Sequence, residues 1–295
     1  MLKEREERHL VYDYLRPKKK FPNVWCAGCG IGIVMGAIIR AVDGLGLAKD
    51  DVAMISGIGC SGRMPVYLDF NTMHTTHGRA LAFATGLKMV RPDMKVLVVM
   101  GDGDALAIGG NHFIHAARRN IGVTAIVINN STYGMTGGQY SPTTPIGALA
   151  TTALYGNVEQ PFPIGELAAA AGAAYVARST VYHVTELERY IADGIQKKGF
   201  ALIEAVSYCH TTFGRLNKLG GAVDMMRALK DNSITLAAAE KLEPNERAGR
   251  IVRGVLVNRD IPEYTDLYRQ VIERAQSAQT ATEAEGAKSR TPRSL

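Results

Sequence analysis

Lys95-Val-Leu-Val-Val-Met100 runs directly into Gly101-Asp102-Gly103-Asp104, and a second apolar run, Thr124-Ala-Ile-Val-Ile-Asn129, ends in the pair Asn129-Asn130. Both runs read as buried strands, because they are rich in β-branched residues and lack polar alternation. The two polar clusters then fall at the carboxyl ends of strands, where open α/β sheets place their ligands. Asp102 offers a hard carboxylate and Asn130 an amide oxygen. With a backbone carbonyl, two phosphate oxygens and a water, they would complete the six oxygens that Mg²⁺ prefers, usually sharing the ion with a phosphorylated ligand. The glycines let the backbone approach that ligand and turn N–H groups toward its phosphates. The pair of turns therefore reads as a magnesium–diphosphate site. The plainer alternative is two ordinary βα turns, since Gly, Asp and Asn are common turn residues.

Outward from this centre, strands are expected at residues 52–58, 95–100, 124–129, 173–178 and 200–206. Helical patterns alternate with them at 30–42, 78–90, 110–119, 164–172 and 184–197. Such alternation predicts an α/β fold with a doubly wound parallel sheet covered on both faces. A chain of 295 residues with 46% apolar content can bury a large core. One strand–helix domain over residues 1–210 is expected, with the ligand turns inside it. After residue 210 the chain becomes more charged, and amphipathic pieces at 222–230, 234–241 and 263–275 predict a helical extension over 211–275, packed on the core or on a partner. Residues 276–295, rich in Ala, Thr, Ser and Glu, lack the apolar periodicity that ordering requires and are expected to be a mobile tail.

The net charge is +6 and the pI near 9.1. Lys18-Lys19-Lys20 is the densest basic run, but neither interleaved aromatics nor a recognisable nucleic-acid module accompanies it, so a solvated face is the reading. No apolar run is long enough to span a bilayer. Residues 1–20 are densely charged, unlike a signal peptide, and a cytoplasmic location is expected.

The four cysteines are Cys26 and Cys29 in Trp25-Cys-Ala-Gly-Cys-Gly30, Cys60 in Gly57-Ile-Gly-Cys-Ser61, and Cys209 in Ser207-Tyr-Cys-His210. Cytosolic CxxC spacing points to metal or redox chemistry. Four thiolates can hold either a [4Fe–4S] cluster or a Zn²⁺ ion. Zinc sites usually pair two CxxC-like knuckles, whereas Cys60 and Cys209 are single residues far apart. Cys60 also lies in a glycine turn suited to cradle a phosphate, which gives a redox cluster a reason to sit there.

GDGD followed at this spacing by NN resembles the signature of thiamine diphosphate enzymes, in the domain that grips the diphosphate. The wider set resembles the β subunit of 2-oxoacid:ferredoxin oxidoreductases, in particular the 2-oxoglutarate type. It comprises WCAGCG (25–30), GIGCSGR (57–63), HTTHGRALAFATGLK (74–88), GDGDALAIGGNH (101–112) and NNSTYGMTGGQYSPTTP (129–145). The resemblance implies thiamine diphosphate, Mg²⁺ and a [4Fe–4S] cluster. It implies that Asp102 and Asn130 are Mg²⁺ ligands by side chain and Thr132 by its carbonyl, and that Cys26, Cys29, Cys60 and Cys209 hold the cluster. Gly59, Ser61, Gly101, Gly103 and Asp104 match the turns around the diphosphate. Gly134, Met135 and Thr136 follow the metal loop. His77 is expected to open a helix and contact the diphosphate, since free N–H groups there favour an anion.

Arg63, three residues past Cys60, is a candidate to pair with a substrate carboxylate, with a surface or interface ion pair as its alternative. The implied reaction is CoA-dependent oxidative decarboxylation of a 2-oxoacid, best matched by 2-oxoglutarate, with electrons passed to ferredoxin and the reaction reversible. The glutamate that activates the aminopyrimidine belongs, in this superfamily, to a second domain not found in this chain. A companion α subunit in an (αβ)₂ heterotetramer is therefore expected. Two alternatives stand beside this: a non-redox thiamine decarboxylase or synthase half with zinc on the cysteines, and a non-catalytic zinc-stabilised scaffold.

Overall fold

The computed structural model describes residues 9–18 and 21–289; Lys19 and Lys20 of the basic run and residues 290–295 of the expected tail lie outside the described residues. The strands are β1 (Val52–Ser56), β2 (Asn71–His74), β3 (Lys95–Gly101), β4 (Val123–Asn129), β5 (Tyr175–Thr180), β6 (Ala201–Val206), β7 (Ser233–Thr235) and β8 (Ile251–Asn258). They form one sheet in the order β2-β1-β3-β4-β6-β5-β8-β7. The six strands from β2 to β5 in that order are parallel. β8 runs antiparallel to β5 and carries β7 parallel to itself.

The apolar runs alternate strictly between two cores. Leu97, Val99, Ile126 and Ile128 face the layer of helices Ile31–Gly44 and Val184–Gln196. Val96, Val98, Met100, Ala125 and Val127 face the layer of helices Ala80–Val90, Gly110–Arg118 and Ile164–Ala171. Burial of each large side chain contributes roughly 1.5–3 kcal/mol, so the central strands are held by many contacts and no single one. This is the doubly wound arrangement that the unbroken apolar runs require.

All five expected strands are present, with ends displaced by a residue or two. Three more are added. β2 is a short, largely exposed edge strand with no apolar pattern, and β7 spans three residues. These two come from pairing, not from a local signal, whereas β8 is a β-branched apolar run that the sequence reading passed over. The segment expected to be helical at 234–241 begins as β7 and is helical only over Leu236–Ala239, where Thr235 Oγ1 accepts from Ala238 N at 3.2 Å. The C-terminal helix Tyr264–Ser289 runs across the boundary at residue 275 where a mobile tail was expected to begin. Its Ala, Glu and Gln residues are good helix formers that extend an anchored first turn. Among the described residues no helix is long and apolar enough to cross a membrane.

The order of strands positions the site. From β1 the chain moves outward to β2, then returns across β1 to β3. That reversal leaves a crevice at the carboxyl ends of β1 and β3, the place where open α/β sheets bind ligands.

Candidate active site

The loops after β1, β2, β3 and β4 line a cleft that is open to solvent at its mouth. Its lining includes Gly59, Cys60, Ser61, His77, Gly101, Asp102, Gly103, Asp104, Asn130, Thr132, Gly134, Met135 and Thr136. Residues from four separated stretches are thus brought together. Ile31, Ile58, Ile128 and Tyr133 complete the walls. The close approach of backbone is real at Gly103, where a Cβ would stand 2.2 Å from the Tyr133 ring.

Asp102 is almost wholly buried, and among the described residues it makes no ion pair. Burial pushes its carboxyl pKa up; hydrogen bonds from Ser141 and Thr143 oppose this. Both hydroxyls donate to Oδ2, at 2.6 Å and 2.5 Å. A buried carboxylate oriented in this way and lacking a counter-charge fits a divalent cation in the cleft. Thr132 spends its hydroxyl on the Gln139 carbonyl at 2.9 Å. Its side chain is therefore committed away from metal binding, which fits a ligand acting through its carbonyl.

Asp104 has a different part from the other turn residues. Its Oδ1 accepts from the His77 ring at Nδ1 (2.6 Å), from Gly78 N (2.7 Å) and from Ile58 N (3.3 Å). The loops after β1, β2 and β3 are pinned on that one oxygen. Its Oδ2 is buried with no hydrogen-bond partner among the described residues. His77 lies in the turn ahead of the helix Ala80–Val90 and does not open it, because Gly78 has φ +71° and turns the chain first. With Nδ1 engaged by Asp104, Nε2 is the nitrogen left for the cleft.

The four cysteines lie close enough to influence one another, Cys60 lines the cleft, and hydrogen bonds tie their loops together. Trp25 Nε1 donates to the Cys60 carbonyl at 2.7 Å, and the Tyr208 hydroxyl donates to the Gly28 carbonyl at 2.8 Å. Cys26 Sγ and Cys209 Sγ both border the Thr211 hydroxyl, at 3.7 Å and 3.6 Å. A Cβ on Gly134 would stand 3.4 Å from Cys209 Sγ and 3.6 Å from Cys60 Sγ, so the loop after β4 abuts the thiols. Burial, and then the neighbouring thiols, push Cys29 and Cys60 up to about 11. Burial also raises Cys209, but hydrogen bonding, chiefly from Thr212 Oγ1 at 3.0 Å, outweighs it and leaves this thiol below its ordinary value. Among the described residues no three His, Cys, Asp or Glu side chains are placed to hold a single ion.

Arg63 is half-buried in the 3₁₀ turn Ser61–Val66, outside the lining of the cleft and without an ion pair among the described residues. The sequence reading missed the Asp102 partners Ser141 and Thr143, and the thiol neighbours Thr211 and Thr212. Ser141 and Thr143 carry no signal beyond a Ser/Thr-rich loop. Thr211 and Thr212 directly follow Cys209 in the sequence.

The fold and the cleft define a diphosphate-binding domain of the thiamine diphosphate class. The family described as thiamine pyrophosphate enzyme, C-terminal TPP binding domain, matches residues 57–205. The 2-oxoglutarate synthase subunit KorB of Methanothermobacter thermautotrophicus is 50% identical over 89% of this chain and 91% of its own length. KorB of Methanocaldococcus jannaschii is 50% identical over 91% of this chain and 99% of its own. A solved 2-oxoglutarate:ferredoxin oxidoreductase from Magnetococcus marinus, with 2-oxoglutarate, coenzyme A and succinyl-CoA bound, superposes with a TM-score of 0.80 at 33% identity. That match covers 92% of this chain and 93% of the other. The chain belongs to the family of β subunits of 2-oxoacid:ferredoxin oxidoreductases, and is thus a subunit of an oxidoreductase.

Proposed function

We propose that this chain is the thiamine diphosphate- and [4Fe–4S]-binding subunit of a cytoplasmic, CoA-dependent 2-oxoacid:ferredoxin oxidoreductase, with 2-oxoglutarate as substrate and succinyl-CoA as product. The reaction is reversible, and electrons pass to ferredoxin. When bound, the coenzyme supplies the carbon chemistry of decarboxylation and the cluster an exit for electrons. The observation that carries this reading is the junction at Gly134, where the metal loop of the cleft abuts Cys60 and Cys209.

Asp102 and Asn130 hold Mg²⁺ by side chain and Thr132 by carbonyl. Gly59, Ser61, Gly101 and Gly103 cradle the diphosphate, and Met135 and Thr136 form a wall. Asp104 orients His77 toward the diphosphate. Cys26, Cys29, Cys60 and Cys209 bind the cluster. Arg63 pairs with a substrate carboxylate.

Among the described residues the carboxylates lining the cleft are Asp102 and Asp104, read here as the metal ligand and the anchor of His77. The pyrimidine-activating carboxylate therefore comes from a companion α subunit in an (αβ)₂ assembly. The irregular segment beyond the metal loop supports this. Leu154, Tyr155 and Val158 are strongly exposed there, and Thr151 N donates to Gly138 O, beside the cleft. Exposed apolar surface of this kind marks an interaction site. Anaerobic purification tests the cluster assignment. A brown preparation with iron and sulfide near four per chain is expected, and a colourless zinc protein would reject it.

A further inference from the structure

Glu204 is a carboxylate 3% exposed in the middle of the otherwise apolar strand β6. It faces Arg178 directly across the pairing of β5 and β6. Arg178 Nε donates to Glu204 Oε2 at 2.6 Å, Nη2 to Glu166 Oε2 at 3.0 Å, and Nη1 to the Val252 carbonyl at 3.3 Å. Buried ion pairs of this type add little stability over well-packed apolar side chains of similar volume. The fold alone gives no reason for one here.

The second Glu204 oxygen supplies the reason. Oε1 accepts from Asn129 Nδ2 at 3.0 Å. A carboxylate only accepts and a backbone N–H only donates, so the Asn129 amide has one orientation, with Oδ1 accepting from Ser131 N at 3.3 Å. Ser131 has φ +58°, a left-handed conformation that a non-glycine residue rarely adopts. Its carbonyl accepts from Thr144 Oγ1 at 2.7 Å, and that hydroxyl accepts from Ser141 N at 2.8 Å. Ser141 in turn donates to Asp102. An unbroken polar chain thus leads from the buried Arg178–Glu204 pair, around both sides of Asn130, to Asp102.

Resting on the magnesium reading above, we propose that Arg178, Glu204 and Asn129 are positioning residues for the metal loop. They hold Asn130 and the Ser131 turn in the conformation that presents the Asn130 amide and the Thr132 carbonyl to Mg²⁺. They touch neither the metal nor the diphosphate.

The test uses the full chain with its companion subunit. Thiamine diphosphate binding is followed by calorimetry as a function of Mg²⁺ in wild type, Asn129→Ala and the double variant Arg178→Met/Glu204→Met. Removing outer partners of metal ligands typically weakens metal binding roughly 10- to 100-fold, so the Mg²⁺ needed for half-saturation should rise by that factor in both. Asn129→Ala should remain folded with wild-type iron content at assay temperature, and its Mg²⁺ requirement should rise, which a purely structural role would not predict. An unchanged Mg²⁺ requirement in folded Asn129→Ala overturns the inference, and that variant decides alone if the double variant does not accumulate. A wild-type complex that binds thiamine diphosphate without any need for Mg²⁺ overturns the magnesium reading and this inference with it.

Discussion

Asp102 is held by two hydroxyls on one oxygen, so a change at this residue removes charge from an otherwise prepared position. Asp102→Asn is expected to keep the fold and the brown chromophore. Losing a charge-assisted contact of about 1.5–3 kcal/mol should weaken thiamine diphosphate binding by one to two orders of magnitude. Calorimetry and the visible spectrum, taken on one preparation, check both halves. Arg63 carries a different expectation. A second substrate carboxylate has to be desolvated in the pocket, and an arginine contact offsets that cost. Arg63→Met should lower kcat/KM for 2-oxoglutarate by about one to two orders of magnitude, with far less effect on pyruvate or 2-oxobutyrate. Equal losses for all three acids would move Arg63 away from the distal carboxylate.

Among the described residues, both π-helical turns start immediately after a candidate site residue, Asp104–Ile108 behind Gly103 and His210–Gly214 behind Cys209. Such turns recur at functional sites because they re-aim a helix start. Cys209→Ser should therefore lose the cluster, since the fourth thiolate lies on a segment fixed by its own turn. Iron content and the EPR signal of the reduced protein read this out, and full retention of both would sink the assigned ligand set. The turn before the helix Ala80–Val90 is equally constrained. Gly78 has φ +71°, and a Cβ there would meet Ile108 Cγ2 at 2.4 Å and Gly109 N at 2.7 Å. Gly78→Ala should cost roughly 1–3 kcal/mol of stability and displace His77 from Asp104. Chemical denaturation would register the loss, and an unchanged midpoint would contradict the steric argument.

At the scale of the whole molecule, the proposed half-site at the carboxyl ends of the strands makes its own prediction. The isolated chain should turn over no 2-oxoacid, and activity should return when the companion subunit is added. Replacing the exposed Tyr155 and Val158 together by Asp should abolish that association while leaving the iron content of this chain intact. Co-purification and sedimentation distinguish the outcomes. Robust turnover by the isolated chain would contradict the half-site.

Apolar runs and polar turns are properties of a short window of chain, and so they were legible without coordinates. The runs at 95–100 and 124–129 determined buried parallel strands, because only a sheet covered on both faces hides every side chain. The glycine, Asp and Asn turns behind them line one cleft, as their place at the carboxyl ends of the strands leads one to expect. The edge strands β2 and β7 were not legible, because short edge strands acquire their conformation from a neighbour, and nothing local records that β8 pairs antiparallel with β5. Nor were the partners of Asp104, the hydroxyls on Asp102, or the Arg178–Glu204 pair behind Asn129. Each joins residues far apart in the chain, and no local pattern records which carboxylate a distant hydroxyl or guanidinium meets. Those contacts exist only once two packed cores have brought the carboxyl ends of the strands to one edge.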